Sequence, residues 1–354
     1  MNRPAKVLII DDSAVARQTL KLILSEDPEL EVVGTAPDAL IALRKIPELN
    51  PDVLTLDVQM PKMDGLTFLE RLMKSRPMPV VMVSAYTQAG SETALRSLEL
   101  GAVDIIEKPK IEVREGLNEL AILITDKVKA AAQAKLKTPR QRFLEPMPRH
   151  DTDAVLPPKK PSRPLAKQQP LIAIGASTGG TEVLREVLSS LPQDMPGIAI
   201  VQHMPKAFTG SFAESLDRVC KIDVKEAEAG DRVLPGTALL APGDMHMILE
   251  ADPSGYQARL NEGELVNRHR PAVDVLFRSV ASMAGSAAIG VILTGMGNDG
   301  AKGMAEMHDS GAHTMAQDED SCVVYGMPRV AVESGAVDEV LNPEQIVRRL
   351  LELR

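Results

Sequence analysis

Short β-branched runs alternate with helix-period segments along most of this chain. KVLIIDDS precedes AVARQTLKLILS, EVVGTA precedes DALIALRKI, DVLTLDV precedes GLTFLERLMK, PVVMVSA precedes SETALRSLEL, and VDIIEKP precedes EGLNELAILITDKVKAAAQ. Runs that are apolar throughout, rather than alternating, belong to strands buried on both faces. Five strand-then-helix units in succession therefore predict an α/β fold, a doubly wound parallel sheet with helices on each side. The rhythm breaks after residue 133 and resumes with LIAIGAS, GIAIVQHMP, TALLAPG, AAIGVILTG and AHTMAQ, separated by helical segments such as TEVLREVLSSL and AVDVLFRSVASMA. A second α/β domain is expected there, with MILEADPSGYQARLNEG as an inserted hairpin.

Between the two rhythms lies a stretch that can form neither helix nor ladder. TPRQRFLEPMPRH and LPPKKPSRPLAKQQP repeat proline without apolar periodicity, which reads as a semi-extended tether. From Asp126 to Lys167 there are 11 Lys and Arg against 4 Asp and Glu, so the remaining chain is more acidic than the net charge of -9 implies. The expected division is 1–124, then a helix extension and Pro/basic linker over 125–169, then 170–354.

The acidic balance and a pI near 5.3 argue against a nucleic-acid partner. No apolar run approaches the roughly 20 residues that cross a bilayer, so no membrane insertion is expected. The start MNRPAKVLIIDD meets acid before a signal-peptide core could form. Cys220 and Cys322 show no paired spacing, which makes a reducing cytoplasm the expected compartment.

In an open parallel sheet, functional groups collect beyond the carboxyl ends of the strands. In the first domain those ends carry Asp11 and Asp12, then Asp57, Ser84 and Lys108, while Asp52 and Asp104 read as solvated caps. Three gathered carboxylates repel unless a cation sits among them, and an all-oxygen site suits Mg²⁺. This pattern resembles the receiver domain of two-component response regulators from Lys6 to Leu123, with a flavodoxin-like five-stranded sheet. The resemblance implies Asp57 as phosphoacceptor, Mg²⁺ held by Asp12, Asp57 and the Gln59 carbonyl with Asp11 in support, and Ser84 and Lys108 as phosphoryl contacts. It also implies a cis bond between Lys108 and Pro109. Ile105 departs from the pattern, since many receivers carry an aromatic residue there.

In the second domain, Gly175-Ala-Ser177-Thr-Gly-Gly180 joins a strand to a helix. A dinucleotide cradle needs glycine where Ser177 stands and an acid closing the next strand, which instead ends in His203. Read as Gly-x-Ser-x-Gly, the stretch fits a nucleophile elbow. A serine hydroxyl needs a base, and His203 closes the neighbouring strand at the same sheet edge. Asp299 in VILTGMGNDG can orient that histidine, although Asn-Asp-Gly is also strong turn chemistry. His150 falls in the linker and His308 on a surface helix; His246 and His269 either line a cleft or bond nearby backbone.

Taken together, GASTGG, QHMP, APGDMHM, NRHRPAVDVLF and LTGMGNDG resemble the catalytic domain of the chemotaxis protein-glutamate methylesterases, which often also act as glutamine deamidases, over Pro170 to Leu350. The resemblance implies a Ser177–His203–Asp299 triad and an oxyanion contact from the Met296 amide, to which the Thr178 segment at the helix start is added on physical grounds. It implies methyl-accepting chemotaxis receptors as substrate, a chemotaxis histidine kinase as phosphodonor, activation through Asp57, and no cofactor in the catalytic domain. A monomer is expected. Two other readings stay open, a docking module without catalysis and an esterase acting on another ester.

Overall fold

The computed structural model describes residues 3–84, 88–109, 117–135 and 169–354. Most of the expected linker, with His150, lies outside the described residues. The chain divides into two compact units, Met1–Gln141 and Arg142–Arg354.

The first unit runs β1 (Ala5–Ile10), α1 (Ala14–Ser25), β2 (Leu30–Ala36), α2 (Ala39–Leu49), β3 (Val53–Asp57), α3 (Gly65–Ser75), β4 (Val80–Ser84), α4 (Gln88–Glu99), β5 (Asp104–Glu107) and α5 (Leu117–Ala132). The sheet order is β2-β1-β3-β4-β5 with every pairing parallel, the flavodoxin-like arrangement expected. β3 and β4 are buried at every residue, which is why their sequences do not alternate. Ser13, Asp38 and Asp64 start α1, α2 and α3 by accepting from the backbone N–H groups of Ala16, Ile41 and Thr67. Each such cap is worth about 1 kcal/mol.

The second unit comprises β6 (Leu171–Ala176), α6 (Gly180–Ser189), β7 (Gly197–Gln202), α7 (Lys206–Asp217), β8 (Asp223–Glu226), β9 (Thr237–Leu240), β10 (His246–Asp252), β11 (Gly255–Asn261), α8 (Val273–Ala284), β12 (Ala288–Ile292), α9 (Ala301–Asp309), β13 (His313–Gln317), α10 (Met327–Glu333), β14 (Glu339–Leu341) and α11 (Pro343–Leu353). Seven strands form a sheet in the order β14-β13-β12-β6-β7-β9-β8, again with parallel pairings. β10 and β11 form the expected antiparallel hairpin.

The chain enters this sheet at its centre, adds β7, lays β8 at the edge and returns to place β9 between them, and then crosses to build β12, β13 and β14 on the other side. The reversal lies between β6 and β12, and ligands in open α/β sheets bind at that switch point. Ser177 follows β6 and the glycine-rich loop to Asp299 follows β12, so both flank the crevice.

Three features depart from the sequence reading. The edge strands β8 and β14 carry the polar or short sequences DVKE and EVL, so neither announces a strand. Lys108–Pro109 is not among the cis peptide bonds of the described residues, where Arg270–Pro271 is; trans is the default even before proline. Asp52 and Asp104 are not merely solvated caps, because Asp52 pairs with Arg3 at 2.7 Å and Asp104 is buried against Lys127.

Candidate functional site

Ser177 sits where β6 turns into α6, and the turn is built from glycine for steric reasons. Gly179 holds φ 78, and a Cβ there would lie 2.5 Å from the Val323 Cβ. The left-handed residue is thus Gly179 and not Ser177, whose φ is not positive. The turn resembles a strained nucleophile elbow in composition, but its unusual conformation falls two residues later. Gly175 packs against α8, since a Cβ on it would meet Val273 Cγ1 at 2.2 Å.

The backbone around Ser177 is held from three sides. Its N–H donates to the Thr294 carbonyl at 3.0 Å, and its carbonyl accepts from Gly180 N at 2.7 Å and from Gln202 Nε2 at 2.9 Å. Ala176 faces Gln202 in the β6–β7 register, and His203 N donates to the Ala176 carbonyl at 3.1 Å. Ser177 and His203 are therefore the next residues on neighbouring strand ends. Both are buried, at 7% and 3% exposure. Among the described residues the Ser177 hydroxyl makes no hydrogen bond to the His203 ring; such contacts are often loose without substrate and tighten on binding.

His203 Nε2 lies 2.8 Å from Asp299 Oδ2. Burial alone would raise the Asp299 carboxyl, but the hydrogen bond and charge of His203, the charge of His269 and the Asn267 amide outweigh it and hold Asp299 below the usual carboxylate range. An ionised Asp299 places the ring proton on Nε2, which leaves Nδ1 as the nitrogen able to accept a proton. Asp299 also accepts from Val273 N at 2.6 Å and Asp274 N at 3.1 Å, the first N–H groups of α8. The residue preceding that helix, Ala272, offers no side-chain cap, so Asp299 supplies it from another loop.

The imidazole of His269 stacks on that of His203, with ring centroids 3.8 Å apart. His269 closes a tight turn in which Val266 and His269 exchange backbone hydrogen bonds and Asn267 and Arg268 stand at φ 52 and 70. His246 is buried and bonds backbone at both ring nitrogens, Glu264 O at 2.8 Å and Ala272 N at 3.2 Å; burial lowers its pKa. Of the two open histidines, His269 joins the site and His246 does not. His308 lies on the surface, as expected, 3.5 Å from Asp338.

Beyond β12, the Gly295 carbonyl accepts from Gly326 N at 3.1 Å and Met327 N at 2.8 Å, which fixes the segment that presents Met296. Thr178 is buried at the start of α6. Both proposed oxyanion groups thus flank the crevice beside Ser177.

In the first unit, Asp11, Asp12 and Asp57 place one carboxylate oxygen each within 4.8 Å of one another. Lys108 Nζ bridges Asp57 at 2.8 Å and Asp11 at 3.0 Å. Burial pushes the Asp57 carboxyl up, and the Asp11 charge adds to it against the pull of Lys108. Arg17 clamps the loop by donating to the carbonyls of Asp11 and Asp12. Ser84 is buried at the end of β4, and its carbonyl accepts from Lys108 N at 2.8 Å. Gln59 donates its backbone N–H to Asp57 Oδ1 at 3.4 Å.

The CheB methylesterase family profile matches residues 172–350, and the response regulator receiver domain profile matches residues 7–118. The protein-glutamate methylesterase/protein-glutamine glutaminase 1 of Geobacter metallireducens is 53% identical over 98% of this chain and 95% of its own length. The chain belongs to the CheB methylesterase family. A second relative, the protein-glutamate methylesterase/protein-glutamine glutaminase of Pectobacterium atrosepticum, is 55% identical over 98% of this chain and 96% of its own. The crystal structure of the Thermotoga maritima CheB methylesterase catalytic domain is 41% identical, with TM-score 0.52, covering 53% of this chain and all of that one.

The CheB methylesterase unit thus brings Ser177, His203 and Asp299 to its switch point with Thr178 and Met296 on the adjoining segments, and the receiver unit brings Asp11, Asp12, Asp57, Ser84 and Lys108 to the carboxyl ends of its strands. Sequence reasoning missed Asn267, Asp274 and Arg17. Asn267 lies in a turn without a glycine signal, and Asp274 reads as an ordinary first-turn acid of α8. Among the described residues no helix is long and apolar enough to cross a membrane.

Proposed function

We propose that this chain hydrolyses methyl esters of glutamate side chains on methyl-accepting chemotaxis receptors, under control of phosphorylation at Asp57. The observation that carries this reading is the buried His203–Asp299 pair one strand away from Ser177, in a chain of the CheB methylesterase family. Ser177 Oγ attacks the ester carbonyl carbon while His203 Nδ1 takes its proton, with Asp299 balancing the imidazolium through Nε2. The Met296 and Thr178 amides receive the oxyanion, and losing one such donor typically costs about 3 kcal/mol of barrier. Collapse breaks the bond to methoxide, which leaves as methanol with the proton from His203. Water, activated by the same nitrogen, then hydrolyses the acyl-serine to glutamate. With a glutamine side chain the identical steps release ammonia.

Asp57 is the proposed phosphoacceptor, taking its phosphoryl group from a chemotaxis histidine kinase, with Lys108 and Ser84 contacting the transferred group. The oxygen-only donor set of Asp11, Asp12 and Asp57 fits Mg²⁺, with the Gln59 carbonyl as a further ligand. When bound, that ion supplies positive charge among the carboxylates. Activation requires the phosphorylated receiver to favour the state in which Ser177 is open to substrate. The deciding experiment is methanol release from methylated receptor, with and without acetyl phosphate, beside Ser177→Ala. Release that rises with the donor and vanishes in the variant supports both halves; release indifferent to the donor removes the switch, and no release removes the esterase.

A further inference from the structure

Behind the His203–Asp299 pair lies a second buried carboxylate that the reaction does not use. Asp274, the second residue of α8, is 8% exposed. Its Oδ1 accepts from Gly303 N in the first turn of α9 at 2.7 Å, and its Oδ2 accepts from Asn267 Nδ2 at 2.6 Å. The same Asn267 nitrogen lies 2.7 Å from Asp299 Oδ1. One side-chain amide, with both its hydrogens engaged, thus joins the two carboxylates.

We infer that Asp274 and Asn267 are positioning residues for the esterase, forming a balanced anionic layer that fixes Asp299 and governs how strongly it stabilises the His203 imidazolium. The inference rests on the proposed Ser177–His203–Asp299 chemistry. Both Asp274 oxygens face N–H donors, which suits the ionised form, because a protonated carboxyl would need an acceptor. Burial, then the Asp299 charge, pushes the Asp274 carboxyl upward. The charged groups around this layer are Asp299 from the β12 loop, His203 and His269 on its far side, and Arg278 one turn along α8. Arg278 is itself held by Glu306 of α9 at 2.5 Å and 2.7 Å. His246 and Arg270 lie further out, with His246 sensing both Asp299 and Arg270.

The arrangement specifies opposite effects for its two members. Removing the Asp274 charge takes negative potential away from the imidazolium. Removing the Asn267 amide takes two donors away from the carboxylates, so Asp299 holds the imidazolium proton more strongly. Asn267 stands at φ 52, which glycine adopts without strain.

The test is the pH dependence of kcat/KM for methanol release from methylated receptor by the full-length protein with acetyl phosphate. Asp274→Asn should move the acid limb down by about half a unit to one unit, and Asn267→Gly should move it up by a similar amount, with KM little changed. Two limbs at the wild-type position, or two moving in the same direction, with the wild-type protein active, would reduce the layer to a staple between α8 and α9. Should Asp274→Asn fail to fold, Asn267→Gly alone decides, and an unmoved limb overturns the inference. A wild-type protein that releases no methanol overturns the esterase reading and this inference with it.

Discussion

The Thr294 hydroxyl lies 3.0 Å from the carbonyl oxygen of Thr178, while the Thr294 carbonyl accepts the Ser177 N–H at the same distance. Thr294 is fully buried, its N–H donates to Gln317 Oε1 at 2.8 Å, and its hydroxyl oxygen accepts from Val324 N at 3.0 Å. Thr294, two residues past β12, therefore ties the nucleophile segment to the loop that follows β13.

Replacing Thr294 by Val should keep the shape and leave the Val324 N–H without its acceptor, a loss of about 1–3 kcal/mol. The expected result is a kcat/KM lower on the order of tenfold for Thr294→Val and near wild type for Thr294→Ser. A Ser variant as slow as the Val variant would remove the hydroxyl from the explanation.

Asp299→Asn should lower kcat by on the order of a thousandfold or more, because an amide holds the imidazole in the wrong tautomer. Asp299 has a folded pKa below its unfolded one. Its stabilising contribution is thus present above the unfolded carboxylate range and lost as pH falls through the folded value. Acid unfolding of the second unit, followed by circular dichroism, should accordingly depend less on pH in Asp299→Asn than in wild type.

Asp57 gives the opposite sign. Its folded pKa is raised, so its contribution weakens as pH rises from the unfolded value through the folded one, and the ionised group costs stability at neutral pH. Asp57→Asn should raise the first unit's thermal midpoint by a few degrees at neutral pH and not at strongly acidic pH. Added Mg²⁺ should raise the wild-type midpoint more than that of the variant, and a chelator should reverse it.

Gly179→Ala combines a left-handed backbone with a collision against Val323. Destabilisation of about 1–3 kcal/mol is expected, measured by urea unfolding. Adding Val323→Gly, which removes the Val323 Cβ as well as its two Cγ atoms, should recover the steric part and leave the conformational part, so the double-mutant cycle should show coupling. Strictly additive losses would mean that the side chain never meets Val323.

Much of this was legible along the chain. Ser177 and His203 could be paired because consecutive parallel strands place their carboxyl ends side by side, and the acids of the receiver follow from the same rule. Asp274 and Asn267 were not legible. An acid in a helix's first turn is ordinary, and an Asn-Arg pair with two left-handed residues carries no hairpin signal of the Asn-Gly kind. The short polar edges β8 and β14 were lost for a related reason, since a strand covered on one side needs no apolar pattern.

Local pattern is enough to read the buried strands and their helices, the two α/β units and the groups that close each buried strand, because burial and backbone geometry act between near neighbours and repeat with a readable period. Long-range packing instead selects the meeting of Asp299 with Nε2 of His203, the stacking of His269 on that ring while His246 turns to backbone, and the joining of two carboxylates by Asn267. The contacts of His203 with Asp299 and His269, and of Asn267 with Asp299, connect segments tens of residues apart. Their partners are chosen by how α8 and α9 pack at the switch point, for which no local periodicity exists.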